Sequence, residues 1–417
     1  MSTSAQSIGL SYWCLRCVLG HLEANFRIQL AEQLPLTRAA EKSVPLKIDK
    51  LYFSKAELTL NNTNYRLGII RQYREGPNPR RIEFDNKRGG VEEELNWRGE
   101  FDAELEFSLT PGDIVLKDRT PEGEPEMIEH REGPTVEQLQ EYCDQRQLRL
   151  LQALDRKADL DEGRVLDERF YGRGLQEQRR VVENDVHNAQ VSFERAQLCL
   201  DELIRRRDNL APPFDMYIQL TKTSPVGTVS YERFNYNQNL AAAQKYLISK
   251  ILGNRRATPN IKSLGFHADP YEPTVLRLPE GLKLRSQELS FSGKLSKTFE
   301  RLKPVLEDLD RTYNKLVIDY LDFEDCDHPI LHNAKALTIG SIDDISTLRK
   351  ITNKEIVLMN ELIHDLEGFM ALIGHWKEAG GRNVGMCFSS NMQKENNAQE
   401  VMRTIQETFE EAVEGER

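Results

Sequence analysis

Long apolar runs, a cysteine framework and the glycine-rich loops of nucleotide-binding enzymes are all missing from this 417-residue chain. No apolar stretch approaches the roughly 18–20 residues needed to span a bilayer. Ile8 to Leu22 is fairly apolar, but no basic segment precedes it and Arg16 interrupts it, so it does not read as a secretory signal. The six cysteines, Cys14, Cys17, Cys143, Cys199, Cys326 and Cys387, are scattered. A chain of this length stabilises itself by core burial without disulfides, which predicts a reducing compartment, cytosol or nucleus. No P-loop, G-x-G-x-x-G, G-x-S-x-G or paired His/Cys site occurs, so no enzyme, cofactor or metal is expected. Positive charge is in deficit: the formal net charge of -11 disfavours non-specific binding to nucleic acid or an anionic membrane.

What is present separates into four patterned regions. In residues 1–48, Leu10, Cys14, Leu15, Val18, Leu19 and Leu22 follow a 3–4 spacing that places them on one helix face. A second short helix carries Phe26, Leu30 and Leu34, and Pro35 stops it. A third short turn, Leu36 to Ala40, completes a small helical unit. Residues 49–133 read as β-rich, with short strands at Leu51–Phe53, Leu58–Leu60, Tyr65–Ile70 and Leu105–Leu109 between turn signals, and a polar linker from Pro121 to Pro134. Residues 134–208 are helical. Val182, Val186, Ala189, Phe193, Ala196, Leu200 and Leu203 form an a/d seam. Gly163, Gly172 and Gly174 separate it from an earlier arm, which predicts an antiparallel hairpin in one chain and a monomer; a parallel intermolecular coiled coil is the alternative.

Residues 212–417 alternate strand and helix. Leu289-Ser-Phe291, Leu316-Val-Ile318, Leu337-Thr-Ile339, Ile356-Val-Leu358 and Val384-Gly-Met386 repeat an apolar-x-apolar unit at strand-plus-helix spacing. The pattern resembles an irregular leucine-rich-repeat-like solenoid, without asparagine where Leu321, Ile342 and Glu361 stand. The fold class expected is therefore multidomain α+β: helical unit, β-rich region, hairpin and α/β solenoid.

Three clusters invite a chemical reading. Cys14 and Cys17 form a C-x-x-C, but no strand precedes them to set a redox cysteine at a helix start; both are expected to pack on the helix seam. Zinc would need two more ligands at matched spacing, and His21 alone lies near. Asp325-Cys-Asp-His-Pro-Ile-Leu-His332 lacks the zincin glutamate and reads as a polar loop. Gly253-Asn-Arg-Arg256 follows a helix C-terminus, the wrong end for an anion, and reads as a solvated turn.

An ordered set of short motifs remains: Leu10-Ser-Tyr-x-x-Leu15-x-x-Val-Leu19-x-x-Leu22-Glu23, Asn61-Asn-Thr63, Leu109-Thr-Pro-Gly-Asp-Ile114, Pro212-Pro-Phe-x-x-Tyr-Ile-Gln-Leu-Thr221, Gly253-Asn-Arg-Arg256, Leu276-Arg-Leu-Pro279 and Phe323-x-Asp-x-x-His-Pro-Ile330. Over nearly its whole length the chain resembles the nematode-expanded F-box C proteins. That resemblance implies an F-box-like unit docking on the Skp adaptor of a cullin-RING ubiquitin ligase, and a remainder that binds a protein substrate. The chain differs from a usual F-box in having Leu10-Ser11 rather than Leu-Pro. The docking residues expected are Leu10, Leu15, Val18, Leu19 and Leu22. The substrate surface expected is the set between the apolar strand positions, Ser290, Val317, Thr338 and Val357, which alternation places on the opposite sheet face.

Overall fold

The computed structural model describes residues 11–118, 134–164, 174–237, 239–269, 271–359, 366–378, 387–390 and 395–409. Leu10, Gly172, Val384-Gly-Met386 and nearly all of the 121–134 linker lie outside these residues.

Capping starts the chain. Ser11 accepts the Cys14 amide and opens α1 (Tyr12–His21); Glu23 accepts the Phe26 amide and opens α2 (Ala24–Gln33). Pro35 begins a 3-10 turn that runs into α3 (Arg38–Ser43). Leu19, Ala40 and Val44 form a local core, with Leu15, Leu22 and Leu30 packed against it. Ala24 and Ile28 belong to the main core of the molecule.

Three strands follow: β1 (Lys47–Phe53), β2 (Glu57–Leu60) and β3 (Thr63–Tyr73). After them come α4 (Arg80–Lys87), α5 (Ala103–Phe107) and β4 (Ile114–Lys117). The strand expected at Leu105–Leu109 is absent there. Asp102 accepts the Leu105 amide and nucleates α5 instead, since a helix-capping aspartate outweighs a short apolar alternation. The long helices α6 (Val136–Asp161) and α7 (Leu175–Arg207) come next, the first opened by a Thr135/Gln138 capping box. Cys143 packs on Ala196 and Leu200 at one end, and Leu160 on Val182 at the other. The two arms are therefore antiparallel within one chain, as the two seams predict.

The remainder runs β5 (Phe214–Thr223), β6 (Val229–Asn235), α8 (Leu240–Leu252), β7 (Asn260–Phe266), β8 (Thr274–Leu276), β9 (Arg285–Phe291), α9 (Leu295–Leu302) and β10 (Tyr313–Leu321). It continues with α10 (Pro329–His332), β11 (Ala334–Ile342), β12 (Glu355–Leu358), α11 (Leu366–Glu378), β13 (Cys387–Ser390) and α12 (Glu395–Thr408). Gly253 ends α8 as expected, and the reason is space: a Cβ there would meet the Ser249 carbonyl oxygen at 2.6 Å.

These elements are mixed α/β, and eleven of the strands share one sheet, ordered β13-β12-β11-β10-β9-β7-β1-β2-β3-β5-β6, while β4 and β8 pair with each other in a separate antiparallel sheet. From β13 to β1 the pairing is parallel; from β1 to β6 it is antiparallel. Strands from residues 47–73 and from 214–390 thus belong to one hydrogen-bonded structure, although composition changes between them. Register aligns Leu51, Leu264, Leu289, Leu316, Leu337 and Ile356 in one row, and Phe53, Phe266, Phe291, Ile318, Ile339 and Leu358 in a second. Both rows are buried. Helices α8, α9 and α11 and the segments carrying Ile330, Leu331, Ile345 and Leu348 join the same core. The last strand follows the Val384–Met386 repeat rather than coinciding with it: Phe388, four residues after Val384, is the partner of Ile356.

Candidate functional site

Two surfaces carry the residues singled out by sequence. The first is α1. It contains no acidic residue, and Arg16 and His21 are its only ionisable groups apart from Tyr12 and the cysteines. A helix apolar all round is normally buried all round, but α1 buries one side alone. Leu19 is 0% exposed and Leu15 and Leu22 are half-buried, so these three hold the unit together. Val18, at 44% exposure, and Trp13, at 69%, face outward together with Cys14 and Cys17. This corrects the expectation that both cysteines pack on the seam. Of the proposed docking residues that are described, Leu15, Val18, Leu19 and Leu22, Val18 is the one presented to solvent, and Trp13 is a neighbour that spacing alone passed over. Leu34 and Leu36, just after α2, are also exposed.

The unit is firmly seated. Arg27, buried in α2, donates to Glu41 at 3.2 Å and to the carbonyls of Pro45 and Val44. Arg255 reaches the same Glu41 oxygen at 2.8 Å, with its side chain 2% exposed. The Gly253–Arg256 turn is therefore not simply solvated: one of its arginines is a buried tie to the N-terminal unit. Lys42 caps the end of α8 by donating to Lys250 O (2.8 Å) and Gly253 O (2.9 Å). Burial, reinforced by the Arg255 charge and opposed by Glu41, lowers its pKa to about 8.

A second tie joins other motifs. Asp113, in the Thr110–Asp113 turn, pairs with Arg277 at 2.8 Å and Lys245 at 2.8 Å. Gly112 is needed there because a Cβ would meet the Leu278 carbonyl oxygen at 2.4 Å, on a backbone of positive φ. Nearby, buried Glu94 accepts the amides of Leu240 (2.9 Å) and Ala241 (2.7 Å), neutralising the N-terminus of α8. A small cleft lined by Lys55, Glu94, Glu106, Gln244 and Arg277 lies within this network. Sequence reasoning missed these ties because their partners lie more than a hundred residues apart.

The second surface is the sheet face opposite the core. Register places Tyr52, Gly265, Ser290, Val317, Thr338, Val357 and Ser389 side by side across β1, β7 and β9–β13. Ser290, Val317, Thr338 and Val357 are thus consecutive neighbours in one row. None of the seven carries a charge. Val317, Val357 and Ser290 are half-buried, whereas Thr338, in the middle, is 5% exposed and its hydroxyl has no hydrogen-bond partner. The Tyr52 ring lies over Gly265, where a Cβ would meet it at 2.1 Å. A parallel row to one side alternates in charge, Lys50, Ser263, Glu288, Lys315, Ala336 and Glu355.

The Asp325–His332 segment folds as a 3-10 turn and α10, with Asp325 and Cys326 buried. Among the described residues, no group of three or more His, Cys, Asp or Glu is arranged to hold a metal ion, and no helix is long and apolar enough to cross a membrane.

A family model described as a domain of unknown function, DUF3557, matches residues 239–394. The match opens at Asn239, the cap of α8, and takes in β7 through β13. It leaves out β1, the strand that hydrogen-bonds to β7. No curated protein and no solved structure matches the chain.

Proposed function

We propose that this chain is a substrate-recognition subunit of a Skp-cullin-F-box ubiquitin ligase, acting in the cytosol or nucleus. The observation that carries the reading is the outward face of α1, where Trp13 and Val18 are exposed and the Arg16 guanidinium lies 5.3 Å from the Trp13 ring, on a unit tied to the turn after α8 by the buried Arg255–Glu41 pair. Exposed aromatic and aliphatic groups clustered on one helix suit a protein partner better than water. The Skp adaptor is the partner that the F-box resemblance implies. The leucine-rich-repeat-like half then offers the uncharged row Ser290, Val317, Thr338 and Val357 to a protein substrate, with half-buried Ser290, Val317 and Val357 as its accessible members and Thr338 buried between them. A scaffold that holds partners without ligase coupling is the second reading; it uses the same row and leaves α1 a different client.

Deleting residues 1–48 is a poor test, because Arg27, Glu41 and Leu46 are part of the buried structure. The double variant Trp13→Glu, Val18→Glu is better, since both side chains are exposed and the fold tolerates charge there. Purified Skp adaptor should bind the wild-type chain and lose the double variant, with an unchanged melting temperature. Failure of the wild-type protein to bind the adaptor moves the assignment to the scaffold; equal binding of both proteins removes α1 as the docking element.

A further inference from the structure

The sheet ends at β6, and this edge is unusually open. All seven residues from Val229 to Asn235 are exposed, including Tyr231 and Phe234. Natural edge strands are commonly blunted by proline, lysine, a bulge or shortness. β6 has no proline or lysine, its two charges, Glu232 and Arg233, are of opposite sign, and its register with β5 is unbroken from Thr223↔Val229 to Tyr217↔Asn235. The hairpin turn fixes the phase of the ladder, because the Ser224 amide donates to Thr228 O at 2.9 Å. In antiparallel alternation the pairs Lys222↔Ser230, Leu220↔Glu232 and Ile218↔Phe234 then exchange the β5–β6 bonds. Val229, Tyr231, Arg233 and Asn235 turn their N–H and C=O groups to the free edge.

We propose that this edge is a β-augmentation site that takes an extended segment of another polypeptide as a twelfth, antiparallel strand. Charge and turn geometry disfavour a second copy in the registers that engage most of β6. The two-fold register that engages all seven residues of β6 sets Glu232 opposite its own copy. The register centred on Arg233 opposes two arginines, and the one centred on Tyr231 runs into Gly227, held in the turn by a φ of 79°. A foreign strand meets none of these penalties. It fits best with a basic residue opposite Glu232, an acidic one opposite Arg233 and an apolar one opposite Phe234, whose ring stands beside buried Ile218. This reading is independent of ligase coupling.

The probe is the peptide Ser-Val-Glu-Lys-Tyr-Val-Thr, whose lysine faces Glu232 in antiparallel register. Its control is the same peptide N-methylated at the backbone nitrogens that face the edge. Amide exchange in the full chain should show Val229, Tyr231, Arg233 and Asn235 unprotected when free and protected with peptide. N-methylation should weaken binding at least about tenfold, and so should Tyr231→Pro, which removes an outward donor without breaking the β5 ladder. Tyr231→Ala, which keeps the donor, should bind within about threefold of wild type. Absence of peptide binding, binding indifferent to N-methylation, or protection elsewhere overturns the proposal. A concentration-dependent dimer that protects the same amides without peptide also overturns it, and gives the edge to a second copy.

Discussion

Arg27 and Arg255 converge on Glu41 from elements more than two hundred residues apart in sequence, α2 and the turn after α8. Removing the one anion leaves two buried guanidinium groups unpaired. Glu41→Ala should therefore lower unfolding free energy by about 3–5 kcal/mol in denaturant titration, well above the effect of an exposed charge. Lys42, beside it, gives a pH signature. Its folded pKa, about 8, lies below the ordinary 10.5, so between those values the unfolded chain binds more protons than the folded one. Lys42's contribution to stability thus rises with pH across that window and is level below it. Lys42→Met should flatten the stability profile between about pH 8 and 10.5, measured by thermal unfolding at a series of pH values. Sequence could not rank residues within α1 because nearly every position is apolar; Tyr12, Trp13, Cys14, Leu15, Cys17, Val18 and Leu19 give a helix with no polar face to mark its outside. The 3–4 spacing found Leu15, Leu19 and Leu22 correctly as a seam, then assigned Cys14 and Val18 to it as well.

At the scale of elements, alternation proved the most legible signal. The apolar-x-apolar units at 289, 316, 337 and 356 are strands, in parallel register, with their flanking residues buried. Period-two patterning fixes which face is buried, so a single core row determines the opposite one. What alternation could not supply was membership: Leu51 and Phe53 belong to the same rows, through a β1–β7 pairing that spans more than two hundred residues. The helix arms were legible from seams and glycines for the same local reason. For the outer row, the expected experiment is the pair Val317→Lys and Val357→Lys. Both valines are half-buried, and a lysine stem lies along the sheet while its ammonium reaches water. The melting temperature should fall by only a few degrees, on the order of 1 kcal/mol, while capture of the substrate is lost. A fall several times larger would mark the row as internal packing and move recognition elsewhere.

At the scale of the whole molecule, the composition changes at residues 49, 134 and 212 mark changes of local pattern rather than breaks in the sheet. β1 sits between β2 and β7, at the junction of the antiparallel and parallel halves. Chains expressed as residues 1–211 and 212–417 make this testable. The second piece alone loses buried Ile48, Leu51 and Phe53, each worth about 1.5–3 kcal/mol of burial. It also bares the β7 and β5 edges, leaves Arg255 and Arg277 without Glu41 and Asp113, and takes Glu94 from the start of α8. Together those losses are comparable to the total stability of an ordinary domain, about 5–15 kcal/mol. The isolated 212–417 piece, which contains the whole 239–394 family match, should therefore lack cooperative unfolding and aggregate. Co-expressed, the two pieces should assemble in equal amounts, because every broken contact is restored except one covalent bond between α7 and β5. Circular dichroism melts of each piece and size-exclusion of the pair provide the readout. A 212–417 piece that melts cooperatively by itself would show that the parallel half tolerates an empty place beside β7, and would make the N-terminal strands an addition to a self-sufficient domain.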